Sequence, residues 1–172
     1  MKIGIRRYGV IRRKGFAMKQ QTFTDIEYSN RKRRTRREKF LDTMDQMMPW
    51  KEWVDLIRPV YPSGKRGRPP KDIETMLRMY LMQKWFGLSA AALEDAIYDS
   101  HAMRDFMHLD FLKEQVPGAS TLSRFRKLLS ASGIEKQIDE DISRKLRKAG
   151  MMLRCGKITD AAIVSMAGAR KK

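Results

Sequence analysis

The chain is poor in the residues that staple small proteins together. Its 172 residues include one cysteine, Cys155, and two histidines, His101 and His108. A lone cysteine excludes an internal disulfide and fits a reducing compartment. Two histidines beside it do not complete a structural zinc site of the usual four-ligand kind. No apolar run is long enough to span a bilayer and no signal-type apolar core opens the chain, so a cytoplasmic location without a membrane partner is expected. No glycine-rich phosphate loop follows a strand, and no serine, histidine and acid stand in a nucleophile-and-base pattern. Acid is scarce too: 20 Asp and Glu face 37 Lys and Arg, for a net charge of +17.

That excess, with a sequence pI near 10.3, reads as an electrostatic footprint for a polyanion, of which nucleic acid is the usual one. At 42% hydrophobic the chain has material for a modest core and is not a disordered basic tail throughout. Its length suits one domain of ordinary size, or a small domain and an incomplete second.

Residues 1–17 carry six basic residues and no acid, without clean periodicity. They read as a basic extension, disordered, and translation is better placed at Met18. Next comes a cationic block, Arg31, Lys32, Arg33, Arg34, Arg36 and Arg37, ahead of Phe40, Leu41, Met44, Met47 and Met48 on one helical stripe. Ser29 is the expected cap of that helix. The block would then sit at the positive end of the helix dipole, which is unfavourable without counter-charge. It is either solvated or held against phosphates. Pro49 opens and Pro59 closes a short helix whose Trp50, Trp53, Val54 and Ile57 bury one face, and core packing explains these tryptophans better than base stacking.

Residues 61–71 form the clearest linker, with Lys65, Arg66 and Arg68. Arg66-Gly67-Arg68-Pro69 resembles the minor-groove core of an AT-hook, although a plain basic loop is the better reading. Asp72 is the expected cap of a helix placing Ile73, Met76, Leu77, Tyr80, Leu81 and Trp85 inward, and Gly87 its stop. A Gly-Leu-Ser turn and one or two further helices follow, with Leu93, Ile97, Met103 and Phe106 inward. Helix, turn and helix suggest a helix-turn-helix. Glu94, Asp95 and Asp99 on the second helix would repel phosphate, so it reads as scaffold.

The better reading helix lies at 116–133. Pro117-Gly118 predicts a turn and Ser120 the cap, with Leu122, Phe125 and Leu129 inward. Thr121, Ser123, Arg124 and Lys127 face outward, with Arg126 at the edge. A helix entering the major groove N-terminus first uses short polar side chains there, arginine for guanine edges and lysine for phosphate. An ordinary wet face explains the pattern equally well. Ile134, Ile138, Ile142 and Leu146 then mark a helix stopped by Gly150, with acids early and bases late. Beyond it the period changes to two. Ile158, Asp160, Ala162 and Val164 share one face of a candidate strand, where Asp160 is either a surface carboxylate or a Mg²⁺ ligand for phosphoryl transfer.

Read together, "PWKEWVDLIRPVYP", "GRPPKDIETMLRMYLMQKWFGLSAAALEDAIYDSHAMRDFMHLD", "VPGASTLSRFRKLLSASGI" and "MLRCGKITDAAIV" resemble, in that order, bacterial transposases of the insertion-sequence-five family. The resemblance covers about residues 18–164. It implies a mainly α fold: a helical DNA-binding region with helix-turn-helix-like units at 18–150, then the first β-strand of a truncated ribonuclease-H-like domain at 151–172. It implies double-stranded DNA, the inverted repeats at the element's ends, as partner in DNA transposition, close to the bacterial nucleoid. In this family a DDE-type catalytic domain uses Mg²⁺, and Thr159-Asp160-Ala161-Ala162-Ile163-Val164 resembles its first catalytic strand. Asp160 thereby takes the role of first metal-binding carboxylate. The family's second aspartate and its glutamate have no counterpart here, since nothing after Asp160 is acidic. The expectation is an N-terminal fragment, catalytically incomplete alone and binding no metal tightly. It either pairs with itself or full-length transposase as a repressor, or is completed by frameshifting into an active enzyme.

Overall fold

The structure is a computed structural model that describes residues 33–64, 69–109 and 114–150. Among the described residues there are seven α-helices and no strand, so the mainly α architecture is as the periodicity predicts. The candidate strand at 158–164 lies outside the described residues. None of the described helices is long and apolar enough to cross a membrane.

Helix α1 (Arg36–Met47) begins later than Ser29 would have it; Ser29 lies outside the described residues, and Thr35 is the cap. The Thr35 hydroxyl accepts from the Glu38 amide at 3.1 Å, and the Glu38 carboxylate accepts from the Thr35 amide at 3.3 Å. This reciprocal pair satisfies two donors that the helix leaves open. Pro49 stands one residue ahead of α2 (Trp50–Ile57), at its N-cap, and Pro59 lies in the 3-10 turn (Arg58–Val60) that ends it. Helix α3 (Ile73–Phe86) is capped by Asp72, whose carboxylate accepts from the Thr75 amide at 3.0 Å, and is ended by Gly87 at φ +64°. Glycine meets that left-handed turn at no steric cost. Ser89 caps α4 (Ala90–Asp99), and Ser100 separates it from α5 (His101–Phe106). Then come α6 (Ala119–Ala131) and α7 (Ile134–Lys148), joined by Ser132 and Gly133.

Helix α3 is the axle of the fold. Every residue from Met76 to Met82 is buried, so this stretch of α3 has neighbours on every side. Helices α2, α4 and α6 pack on it, α1 on α5, and α7 on α6 and α2. The expected inward residues are all buried on α4 to α7: Leu93, Ile97, Met103, Phe106, Leu122, Phe125, Leu129 and the Ile134–Ile138–Ile142–Leu146 stripe. Burying each such side chain contributes roughly 1.5–3 kcal/mol before chain entropy is counted. Trp53 and Trp85 are core, as expected, and Trp50 packs half-buried against it. Trp85 meets Phe40 and Phe106 edge-on at 5.5 and 5.8 Å, and the Trp53 indole donates to Asp141 at 3.1 Å.

One charge sits inside this core. Arg78, on α3, is 2% exposed. Its guanidinium donates to Asp45 at 2.7 Å, to Glu74 at 2.9 Å and to the Phe106 carbonyl at 2.9 Å, and lies 4.1 Å from the Trp50 ring centroid. His108, in the left-handed region at φ +52°, reaches the second Asp45 oxygen at 3.2 Å. Burial works against ionisation of Asp45, yet the His108 hydrogen bond and the Arg78 charge outweigh it and hold the carboxyl below its usual range. This network ties α1, α3 and the end of α5 together at one point.

Candidate nucleic-acid interface

The candidate phosphate-binding and base-reading residues divide between two helices and the segments outside the described residues. Arg31, Lys32, Lys65, Arg66, Arg68 and Asp160 all lie outside the described residues, as does the AT-hook-like Arg66-Gly67-Arg68. The rest can be placed.

At the start of α1, the counter-charge that the helix dipole demands is supplied from within. Arg34 pairs with Glu38 at 2.8 Å and with Asp42 one turn further on. Arg37 is half-buried, its guanidinium 5.4 Å from the Phe86 ring centroid. Arg33 and Arg36 remain exposed. Of the six-residue block, then, two members already serve the fold. A pair as exposed as Arg34–Glu38 is worth under about 1 kcal/mol, so it orders the arginine more than it stabilises the helix.

Helix α6 is a stronger candidate. Leu122, Phe125 and Leu129 are buried against α3 and its neighbours, which turns Ser120, Ser123, Arg124, Arg126 and Lys127 outward; Thr121 is half-buried. The Ser123 hydroxyl donates back to the Ala119 carbonyl at 2.9 Å, while Arg124 and Lys127 make no ion pair among the described residues. Two exposed cations one turn apart, with short hydroxyl side chains before them, suit phosphate and base edges. Arg126 is exposed as well. Its charge acts on Tyr80, whose phenol is nonetheless pushed well up by burial and by the hydrogen bond it donates to Glu135 at 2.8 Å.

Ser120 is not the cap. It stands inside the first turn of α6, and Gly118 occupies the N-cap position with no side chain to offer. The Ala119 amide instead donates to the Glu94 carboxylate of α4, at 3.0 Å. Sequence reading missed this because the capping group comes from another helix, where no local spacing reveals it. Arg78 was missed too, although Glu74 four residues before it is a visible i, i+4 signal.

The distribution of charge is uneven. The described residues hold nineteen Lys and Arg against sixteen Asp and Glu, a net of only +3 out of the chain's +17. The described residues are therefore nearly neutral. No group of three His, Cys, Asp or Glu side chains placed to hold a metal ion occurs among the described residues.

The family described as "Transposase domain (DUF772)" matches residues 29–128. The match runs from ahead of α1 to Leu128 inside α6 and includes both sets of described basic candidates. No solved structure matches the chain.

Proposed function

Because the chain belongs to this transposase-domain family, we propose that it binds duplex DNA at the terminal inverted repeats of a bacterial insertion sequence, as the recognition region of a transposase of the insertion-sequence-five type. The observation that carries the reading is the outer face of α6, where Arg124 and Lys127 stand exposed, with no ion pair among the described residues, on a helix anchored by Leu122, Phe125 and Leu129. In this role α6 and the preceding helices act as a helix-turn-helix-like unit: Arg124 addresses a base edge, Lys127 a phosphate, and Ser120, Thr121 and Ser123 the groove wall. Arg33 and Arg36, with Arg31, Lys32, Lys65, Arg66 and Arg68, add phosphate contacts that hold the protein to the duplex without reading sequence.

On the same reading Asp160 is the first carboxylate of a DDE-type centre, and Mg²⁺ would supply the charge for strand cleavage and transfer there. Asp160 lies outside the described residues, so DNA recognition is proposed here without a metal-dependent step.

Titration of the full chain against duplexes carrying the neighbouring element ends and against scrambled duplexes tests the proposal. With six or more phosphates engaged, affinity should fall by about three orders of magnitude between about 50 and 200 mM salt. End-bearing duplexes should bind at least about tenfold more tightly than scrambled ones. A flat salt response with no preference would refute it.

A further inference from the structure

We infer that Glu94 is a positioning and specificity-determining residue: its carboxylate closes the N-terminus of α6 against phosphate and makes the helix meet DNA side-on, through Ser123, Arg124 and Lys127. This rests on the DNA-binding reading above and deepens it. An open helix N-terminus attracts anions, because its first amides lack partners and the dipole is positive there. In α6 the Thr121 and Leu122 amides already donate to the Gly118 carbonyl, at 2.9 and 3.2 Å. The Ala119 amide is the one that donates to Glu94. Among the first-turn amides only that of Ser120 has no acceptor among the described residues, and the protein's own anion stands on the amide beside it.

Three features make this more than a cap. A cap needs only a neutral oxygen, and a serine at Gly118 would supply one. Gly118 has an ordinary φ of −68°, and a β-carbon there would meet nothing closer than the Glu94 carboxylate at 3.9 Å. The chain instead places a full negative charge at this point. Glu94 also has no cationic side chain paired with it among the described residues, so that charge is not cancelled locally. Finally, α4 carries Asp95 and Asp99 exposed beyond it. One end of α6 is therefore acidic and the middle of its outer face basic. A phosphate chain crossing α6 is repelled at the Ala119 amide, where Glu94 stands, and attracted at Arg124 and Lys127, which selects one docking angle.

The test compares Glu94→Gln with the unmodified full chain. Glutamine can still accept from the Ala119 amide, so the melting temperature should stay the same while the charge is removed. Removing one negative charge within roughly 6 Å of the backbone should raise affinity for scrambled duplex about three- to tenfold at low salt. It should also steepen the log–log salt slope by about 0.9, the value of one added phosphate contact. The preference for element ends should fall, because a second docking angle becomes available. Arg124→Ala should weaken end-specific binding. Should Glu94→Gln destabilise α6, Glu94→Ala/Gly118→Ser restores a neutral local cap and must show the same DNA-binding changes. Unchanged affinity, slope and preference in both variants would overturn the inference and leave Glu94 a structural cap, with the DNA-binding reading intact. Failure of the unmodified chain to bind duplex DNA would overturn both.

Discussion

Arg78→Met is the substitution that tests most directly how this core is held. Methionine keeps the length of the side chain and its packing but deletes the guanidinium. Five interactions go with it: the bonds to Asp45, Glu74 and the Phe106 carbonyl, and the guanidinium's contacts with the Trp50 and Phe106 rings. Breaking a buried pair by removing one partner costs about 3–5 kcal/mol, because the remaining charge is stranded. Here the carboxylate side chains keep 29% and 40% of their exposure, so water relieves part of that penalty. The Phe106 carbonyl is left without its charged donor, and the stacking on Trp50 is worth about 1–2 kcal/mol. These contributions share atoms and do not add, so the expected loss is about 3 kcal/mol. Against a total stability of roughly 5–15 kcal/mol for a domain, that is a large fraction. Urea unfolding of the full chain, followed by helical circular dichroism, measures it as a lower midpoint at unchanged slope. Adding Asp45→Asn and Glu74→Gln to Arg78→Met should recover part of the loss, since the stranded charges are then gone. A single variant within about 0.5 kcal/mol of the parent, or a triple variant no more stable than the single, would refute this account.

The network also makes the fold acid-sensitive. Asp45 is held below its ordinary value of 3.8, so the native state binds fewer protons than the unfolded chain; the stabilisation is present above that value and lost as pH falls through the native one. Melting temperature should therefore decline less steeply on acidification in Asp45→Asn than in the parent. Tyr80 gives the opposite sign: burial and then Glu135 raise its phenol above 10.0, so stability falls as pH rises past that value, and Tyr80→Phe should flatten the alkaline limb of a melting profile. At Gly133, φ is +72° and a β-carbon would meet nothing within 4 Å, so Gly133→Ala should cost about 1 kcal/mol from backbone strain alone, read as a shift in urea midpoint.

What the sequence disclosed was whatever depends on neighbours along the chain. The apolar stripe of α7, the Asp72 cap and the Gly87 stop were each legible, because helical spacing and terminal chemistry act within four or five residues. The interior face of α6 was legible for the same reason. Contacts made across the fold were not. Nothing local to Gly118 shows that Glu94 will cap the helix after it, and nothing local to Arg78 shows that Asp45, thirty-three residues earlier, will meet it. The cationic block before α1 was seen, but not its division into Arg34 and Arg37, held by Glu38, Asp42 and Phe86, and the exposed Arg33 and Arg36.

That division bears on how DNA would be bound. The described residues, with a net charge of +3, have too little excess to provide the affinity that +17 suggests, so affinity and sequence reading should separate between different residues. Replacing Arg31 and Lys32 together by alanine should weaken binding to element ends and scrambled duplexes alike, and should make the salt slope shallower by up to about 1.8, or about 0.9 for each phosphate no longer neutralised. Replacing Arg124 alone should change the slope little but cost about 1–3 kcal/mol at one base pair, so that the preference among sequences falls while non-specific binding persists. Measured in parallel on the same duplexes, the two variants should move different quantities. If Arg124→Ala lowers affinity for both duplexes equally and leaves the preference intact, α6 is not the reading element, and base recognition must be sought among residues other than those on its outer face.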